Sequence, residues 1–317
     1  MKKGTTTIFL IILFFCTFRL VAQDNSLLPF SNKLLLNPSY AGLNKNTSVR
    51  TGTFLHSEGN SILDNEFYLT WDSYSESLKG GVALSFYEGL SGSENTNTTG
   101  IGFTFSKPVA VKSKNTVIPS LNFNYRLATK NWFVQAMEPL NPPGREILRF
   151  HKYQPRVGLL WHSPVRHIGL SVAWNFYSPI AREGIAAPES NPEFIVHYLQ
   201  NRRSKNDGLN SEPVKLTPEF IMLYTQNVFL TRSGVSIKEV NRNYAFFIQN
   251  SFRKNVHGIG GMWGVRFNNF RLNILAAPAY NFTTKKTSFW GEVAFALVVP
   301  YVHINKKYPW KPVKKFF

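Results

Sequence analysis

The stretch Val117-Ile118-Pro119-Ser120-Leu121-Asn122-Phe123-Asn124-Tyr125-Arg126-Leu127 alternates between two kinds of side chain. One set reads Val, Pro, Leu, Phe, Tyr and Leu, and the other reads Ile, Ser, Asn, Asn and Arg. Because successive side chains of a β-strand point to opposite faces, one face of this strand prefers an apolar surrounding and the other prefers water. Such a strand is typical of a wall between lipid and an aqueous lumen.

The same alternation recurs along the chain, in segments of about ten residues, a length that fits a tilted strand crossing the hydrocarbon layer. The predicted fold is all-β: a transmembrane outer-membrane β-barrel of about 14 antiparallel strands, closed because lipid cannot satisfy an open sheet edge. The segments 193–200 and 227–237 are the least regular, and a barrel without them has 12 strands. The predicted strands are 47–57, 62–74, 79–88, 99–107, 116–127, 152–162, 166–177, 193–200, 214–224, 227–237, 242–253, 257–268, 269–280 and 287–299.

A soluble β-sandwich or a lipocalin-like barrel is the alternative, because its strands also alternate, with the apolar face inside. Aromatic residues near the predicted strand ends favour the membrane barrel, since interfacial girdles are built from them. These residues are Tyr74, Tyr87, Trp132, Trp161, Tyr177, Tyr280 and Trp290.

An export signal precedes the strands. Lys2 and Lys3 come before an apolar run from Thr7 through Phe18, and small residues follow, which predicts a cleaved signal peptide over residues 1–22. A retained anchor is disfavoured because the run is about a dozen residues, short of the roughly 20 that span a bilayer. The remaining chain divides into a periplasmic leader or plug segment (23–46), the barrel (47–299) and a basic, aromatic tail (300–317).

The chain is strongly basic, with a formal net charge of +18. Removing Lys2, Lys3 and Arg19 with the signal lowers the basic count from 36 to 33 and leaves a net charge of +15. The basic residues are dispersed and an exported chain meets no nucleic acid, so anionic outer-membrane lipid or acidic proteins are the expected counter-charges. Cys16 is the only cysteine and falls within the signal, which excludes thiol chemistry in the mature chain.

No pattern of an enzyme or a cofactor site is present. The histidines show no metal-ligand spacing, and Gly258-Ile259-Gly260-Gly261 lacks the third glycine of a dinucleotide-binding turn. We therefore predict no catalytic residue, no cofactor and no metal. A lipase-like Ser/His/Asn site on the barrel wall is an alternative that only geometry can test. The histidines are His56, His151, His162, His167, His197, His257 and His303.

The lengths of the connections between the predicted strands indicate how the barrel is oriented in the membrane. An even strand count places both termini on the periplasmic side, and the long segments 89–98, 128–151 and 178–192 then face outward. The segment 128–151 is proline-rich around residues 139–145 and is predicted to be irregular. Two periplasmic regions are predicted to bind partners through basic and aromatic side chains: the loop 201–213 and the tail. Their residues are Arg202, Arg203, Lys205, Trp310, Lys314 and Lys315.

One short motif lies between the signal and the first strand. Leu34-Leu35-Leu36 is followed by Asn37-Pro38-Ser39-Tyr40-Ala41-Gly42, in which Pro fixes one φ and Gly allows a positive φ. We expect Asn37, Pro38, Ala41 and Gly42 to form a plug or an entry turn that closes the barrel's inner end; a recognition epitope for a periplasmic partner is the alternative.

This motif resembles the amino-terminal signature of the PorP/SprF-like type IX secretion system membrane proteins of the Bacteroidetes. Leu216-Thr217-Pro218-Glu219-Phe220 resembles the family's lysine-leucine-x-proline-serine strand start, and Ser288 to Leu297 its closing strand, where only Glu292 of a frequent histidine-glutamate pair is kept. The residues before Asn37 differ from those usual in the family, and the chain continues beyond the last predicted strand to Phe317.

The resemblance implies export rather than chemistry. It implies an outer-membrane component or companion of the type IX system, which helps to secrete, anchor or present a large, adhesin-like surface protein, with a link to gliding motility. The implied partners are type IX secretion components and that surface protein. A passive porin or a transporter of hydrophobic compounds is the alternative.

Overall fold

A computed structural model describes residues 31–43, 45–59, 61–91, 96–112, 115–133, 145–179, 190–200, 202–203, 215–225, 229–239, 241–253 and 255–299. The predicted signal peptide and the tail lie outside these residues. Two short helical elements, α1 (Lys33–Leu36) and a 3₁₀ turn (Pro38–Tyr40), precede the strands. No helix among the described residues is long and apolar enough to cross a membrane.

Over the described residues, sixteen strands follow in chain order. Most of the longer strands have 12 to 19 residues, and two strands, β5 and β10, are much shorter. The bounds are β1 Thr47–Glu58, β2 Ser61–Ser75, β3 Gly80–Ser91, β4 Thr96–Ser106, β5 Val109–Lys112, β6 Asn115–Phe133, β7 Arg145–His162, β8 Arg166–Pro179, β9 Asn191–Gln200, β10 Arg202–Arg203, β11 Lys215–Thr225, β12 Phe229–Lys238, β13 Arg242–Ser251, β14 Val256–Phe267, β15 Phe270–Asn281 and β16 Lys286–Val299.

The sheet closes on itself. β1 pairs antiparallel with β16 from Thr47↔Val299 to Glu58↔Ser288, and β9 pairs with β11 across the connection that contains β10. β5 pairs only with β6, and β10 only with β11, so fourteen strands form the closed wall. The predicted barrel of 14 antiparallel strands is thereby confirmed, and the 12-strand alternative is wrong because both irregular segments, 193–200 and 227–237, contain wall strands.

An even number of strands places the start of β1 and the end of β16 at the same end of the barrel. We call this the terminal end, and the opposite one the far end. The turns at residues 163–165 and 268–269 lie at the terminal end, and the last residues of β6 and β8 lie at the far end. Arg202 and Arg203 lie at the terminal end, where β10 pairs with the first residues of β11.

One loop prediction is partly wrong. Residues 128–133 and 145–151, expected to be irregular, continue β6 and β7 in unbroken register from Leu127↔His151 to Phe133↔Arg145. The alternation of apolar residues that marks the lipid-facing part ends earlier, but backbone pairing needs no apolar face, so the hairpin extends further than the hydrophobic pattern shows. The proline-rich residues 139–144 lie outside the described part of the chain, and Arg145 begins β7.

The two faces of β6 follow the alternation of the sequence. Leu121 and Phe123 on the outer face are 63% and 50% exposed, whereas Ser120 and Asn124 on the inner face are 6% and 4% exposed. The same division holds in β8, where Leu170 lies outside and Ser171 inside. The apolar face is therefore the outer one, as in a membrane barrel and opposite to a soluble β-barrel.

The predicted aromatic girdle is only partly correct. Trp161 and Tyr280 are 46% and 39% exposed on the outer face, but Tyr87 and Trp290 are 5% and 7% exposed and face the lumen. Strand position alone placed these residues near the membrane interface, and side-chain alternation decides the face. Tyr74 and Tyr177 also share the register of luminal residues, and the side chain of Trp132 lies outside the described part.

Residues 31–43 form a luminal segment, which lies inside the barrel and contacts the inner faces of strands around most of the wall. Its three leucines reach different apolar patches: Leu34 contacts the patch with Ala83, Leu35 packs beside Tyr68, and Leu36 packs against Ile221. Complete burial of one leucine side chain contributes about 1.5–3 kcal/mol, so these contacts are a substantial part of its docking energy.

Candidate functional site

Asn37 joins two wall strands from the inside. Its side-chain nitrogen donates hydrogen bonds of 3.2 Å to the carbonyl oxygens of Leu159 in β7 and Leu170 in β8. Its side-chain oxygen accepts a hydrogen bond of 2.9 Å from the backbone N–H of Ser39, which starts the 3₁₀ turn. Asn37 is 0% exposed, so all three bonds are shielded from water.

The 3₁₀ turn carries two further anchors. Pro38 occupies its first turn, where a missing N–H costs nothing. The hydroxyl of Ser39 lies 2.8 Å from that of Ser120 in β6, and the hydroxyl of Tyr40 lies 2.9 Å from Nε2 of His197 in β9. The turn therefore fixes the segment to two strands on the same side of the barrel as the Asn37 contact.

Ala41 and Gly42 lie almost against the wall backbone. The carbonyl oxygen of Ala41 accepts a hydrogen bond of 2.8 Å from the hydroxyl of Ser106, and the N–H of Gly42 donates one of 3.1 Å to Asp72. Gly42 has a φ of +59°, and a Cβ there would lie 2.7 Å from the Cα of Gly81. A side chain at this position is excluded both by backbone conformation and by space.

The first part of the luminal segment is held mainly through its backbone. The N–H of Ser31 donates to Glu292 at 3.1 Å, and Nη1 of Arg156 donates to the carbonyl oxygen of Leu35 at 2.7 Å. The hydroxyl of Ser171 donates to the carbonyl oxygen of Leu36 at 3.0 Å. Asn32 adds a side-chain contact, because its nitrogen donates to Thr70 at 2.9 Å.

Charged wall residues support these contacts by pairing with one another. Arg156 forms a buried ion pair with Glu193, and Asp72 accepts hydrogen bonds from Arg50 and Ser48. Paired charges keep their orientation in a low-dielectric lumen, so each can present one remaining donor or acceptor to the luminal segment.

Lys33 is the only cation of the luminal segment. Its ammonium group lies 6.0 Å from the centre of the Tyr40 ring. Burial lowers the pKa of Lys33, and the carboxylate of Glu219 opposes this shift. Burial also raises the pKa of the Tyr40 hydroxyl, with Glu219 adding to the effect, so this group stays a neutral hydrogen-bonding partner of His197.

A second sector of the lumen, on β13 to β16, is apolar. Phe247 is 3% exposed and Met262 is 5% exposed, and they pack with Trp290. Glycines in β14 make room for the rings: a Cβ at Gly260 would lie 2.2 Å from Phe247, and one at Gly258 would lie 2.8 Å from Trp290. The remaining members of this apolar sector are Ala245, Val256, Leu275 and Ala277.

The terminal end carries a basic rim. Exposed basic residues stand in or beside its turns, and they outnumber the two exposed acidic ones there, Glu76 and Glu239. Arg202 and Arg203 form β10 at the same end. Lys205, Trp310, Lys314 and Lys315 lie outside the described residues. The exposed members of the basic rim are Lys45, Lys79, Lys107, Arg166, Arg242 and Arg271.

His167 and His197 lie beside Tyr40, and His162 lies next to His167. His162 and His167 are direct cross-strand neighbours with ring centres 4.4 Å apart, and the ring of His197 lies 5.3 Å from that of Tyr40. Over the described residues, no group of three or more histidine, cysteine or acidic side chains has the geometry to hold a metal ion. These rings act as packing and hydrogen-bonding surfaces for the luminal segment.

Most wall contacts of the luminal segment were missed from sequence. The motif residues Asn37, Pro38, Ala41 and Gly42 were identified, but their partners Asp72, Ser106, Arg156 and Ser171 were not. These partners all occupy inward positions of predicted strands, where polar residues are the norm, so only their position in the closed barrel separates them from other luminal residues.

Comparison with protein families decides the relationship of the chain. A family model described as Type IX secretion system membrane protein PorP/SprF matches residues 24–301. The chain belongs to the PorP/SprF family. This PorP/SprF protein is thus an outer-membrane β-barrel of the type IX secretion class. The matched region includes the luminal segment and every wall strand.

One solved structure supports the architecture. The PorP/SprF barrel is similar to the CymD monoaromatic hydrocarbon channel, with a TM-score of 0.54 and 10% identity over 86% of this chain and 93% of that one. The Pseudomonas putida toluene transporter TodX is a weaker match, with a TM-score of 0.49 and 7% identity over 89% of this chain and 96% of that one. At these identities the likeness concerns the fold alone. No curated protein matches the sequence.

Proposed function

We propose that this PorP/SprF barrel is a component or companion of the type IX system that helps to secrete, anchor or present a large, adhesin-like surface protein. It acts by binding other proteins, without catalysis and without a cofactor. The basic rim supports the proposal, because exposed basic residues outnumber exposed acidic ones at the end of the barrel that carries the start of β1 and the end of β16. Its terminal end is the periplasmic end in this proposal, since outer-membrane barrels with even strand numbers have both termini there.

The charge of the rim selects the kind of partner. Among the described residues at this end, six basic ones are exposed against two acidic ones, which favours an acidic protein surface as the partner. Charge complementarity mainly accelerates association and suppresses wrong partners. Arg202, Arg203 and Lys205 belong to the connection at this end and extend the rim in sequence. Trp310, Lys314 and Lys315 of the tail are proposed to contact the same partner or the lipid surface.

The luminal segment is proposed to be a plug. It bonds to β2, β4, β6, β7, β8, β9 and β16, so it crosses the lumen near the terminal end and narrows the path through the barrel. In this role Asn37, Pro38, Ala41 and Gly42 are the residues that dock the plug. A plugged barrel is suited to holding partners in the membrane rather than to passive diffusion.

The docking proposal can be tested in bacterial cells. A strain lacking the gene, complemented with wild type, is compared with strains carrying R202E/R203E/K205E or the far-end control R253E/K285E/K286E. We expect the first variant to reduce co-purification of type IX components and surface display of the exported protein at least tenfold, with the control near wild type. Equal display by all three strains, with each barrel present in the outer membrane, would refute docking at the rim.

The apolar sector favours a second candidate, a transporter of hydrophobic compounds. Phe247, Met262 and Trp290 offer an apolar surface inside the barrel. The two candidate functions predict different conductance in planar bilayers and different uptake of hydrophobic compounds. A transporter requires uptake of a hydrophobic compound by proteoliposomes that falls with Trp290→Ala, whereas the plugged secretion barrel is expected to show neither uptake nor stable conductance.

A further inference from the structure

The wall binds main-chain groups of the luminal segment as well as its side chains. Five wall side chains bond to main-chain N–H or C=O groups of this segment, and these bonds are 2.7 to 3.1 Å long. The wall residues come from five different strands. The pairs are Glu292 with Ser31, Arg156 with Leu35, Ser171 with Leu36, Ser106 with Ala41, and Asp72 with Gly42.

Glycines in the wall bring the two backbones together. A Cβ at Gly81 would lie 1.9 Å from the carbonyl oxygen of Ala41, and one at Gly158 would lie 2.4 Å from the side-chain oxygen of Asn37. A Cβ at Gly169 would lie 2.7 Å from the side-chain nitrogen of Asn37. Inward glycines on β3, β7 and β8 therefore form a shelf on which a polypeptide can lie in direct contact with the wall.

Main-chain groups are the same in every polypeptide. Over the described residues, the side chains of Asn32, Asn37, Ser39 and Tyr40 add five hydrogen bonds to the wall. A site that presents donors and acceptors to a backbone can bind another chain of similar path, provided that small residues face the shelf. Ala41 and Gly42 satisfy this condition in the present occupant.

We propose that the plug occupies a polypeptide-binding site in the lumen, and that a turn-forming segment of a second polypeptide binds the same wall groups when the plug withdraws. The plug is thereby an internal competitor. The proposal rests on the proposed function for the source of that polypeptide, an exported chain or a secretion component. The bound segment carries small residues next to Gly81 and forms hydrogen bonds with the same five wall side chains through its main chain.

Cysteine pairs can hold the plug in place. The hydroxyl oxygens of Ser39 and Ser120 lie 2.8 Å apart, so cysteines at both positions bring two sulfurs within reach of a disulfide. Cys16, the only native cysteine, is replaced by serine in every variant. Oxidised N37A/S39C/S120C is then the locked form of the full chain, and Asn37→Ala alone is the loosened form.

Binding is measured on purified protein with two fluorescent peptides. The first has the sequence of residues 31–43, and the second replaces Asn32, Asn37, Ser39 and Tyr40 by alanine. We expect the loosened form to bind both peptides, the second at least about 30-fold more weakly because it lacks the hydrogen bonds of Asn37, and the locked form to bind neither until it is reduced. Failure of the loosened form to bind either peptide, or binding of the first peptide alone, would overturn the proposal, as would equal binding by the locked form.

Wall variants identify the site. In the loosened form, Ser106→Ala and Ser171→Ala each remove one hydrogen bond to the peptide main chain, and we expect about fivefold weaker binding for each and roughly 25-fold for both. Ser236→Ala is the matched control, because Ser236 is a luminal serine of β12 that bonds to Thr217. Equal losses for the control and the wall variants would contradict the assignment. The assay uses no cells, so its failure is distinct from failure of the docking proposal.

Discussion

Replacing Asn37 by alanine is expected to loosen the plug while leaving the barrel folded. The change removes three hydrogen bonds: two from the side-chain nitrogen to the carbonyl oxygens of Leu159 and Leu170, and one to the side-chain oxygen from the N–H of Ser39. The strands themselves keep every backbone pairing, since Asn37 belongs to none of them.

The size of the effect follows from these bonds. A hydrogen bond contributes a net of about 0.5–1.5 kcal/mol, and together the three are worth about 2–3 kcal/mol of docking free energy. Each 1.4 kcal/mol is a tenfold change in an equilibrium constant, so the undocked fraction of the plug should increase roughly 30- to 150-fold.

Cysteine labelling measures this fraction. Ser39 is 0% exposed, so a cysteine at this position is protected while the plug is docked. In a Cys16→Ser background, the rate at which a membrane-impermeant maleimide modifies S39C is proportional to the undocked fraction when docking is fast. We expect N37A/S39C to react roughly 30- to 150-fold faster than S39C.

A matched variant separates plug release from a general loss of structure. Asn46 is half-buried between the luminal segment and β1, and N46A keeps all the plug contacts described above. N46A/S39C should react within twofold of S39C, and heat-modifiable migration in gels should show a folded barrel for every variant. An unchanged labelling rate for N37A/S39C, with the barrel folded, would refute the anchoring role of Asn37.

Three further changes test other parts of the structure. Gly42→Ala introduces a Cβ 2.7 Å from Gly81 and should expose S39C more than Asn37→Ala does, measured by the same labelling; equal protection would contradict the close approach. Leu121→Arg places a charge on the lipid face and should destabilise the barrel by about 2–4 kcal/mol in urea unfolding, whereas Asn122→Arg on the luminal face should cost much less. Deleting 306–317 should reduce surface display of the exported protein without affecting barrel assembly, and normal display would exclude a partner contact by the tail.

The wall of the barrel was largely predictable. All fourteen predicted segments contain a wall strand, because alternation with a period of two is a local property that each strand must satisfy against lipid and lumen. The prediction failed near the strand ends, where side chains no longer have to alternate between lipid and lumen. The extension of the β6–β7 hairpin depends on backbone pairing, which hydrophobicity does not encode. The inward faces of Tyr87 and Trp290 follow from side-chain alternation, which a position near a strand end does not specify.

Of the residues that form the luminal site, those of the turn motif could be predicted from sequence and their partners in the wall could not. The backbone preferences of the motif residues predict a turn at Asn37, Pro38, Ala41 and Gly42. Their partners lie from 30 residues away, for Gly42 and Asp72, to 133 residues away, for Asn37 and Leu170. No local pattern marks such pairs, since serine, aspartate and glycine are ordinary inward residues of any water-facing wall.

The sequence by itself determined a fourteen-stranded membrane barrel with a turn motif ahead of it, because strand alternation and turn chemistry are local. Only the tertiary structure decided that this motif lies inside the lumen, and which wall residues hold it. Closure of the sheet brings Glu292 of β16, Asp72 of β2 and Arg156 of β7 around one short segment. Closure depends on the pairing of β1 with β16, two strands at opposite ends of the chain, and its consequences follow from the whole barrel rather than from any one strand.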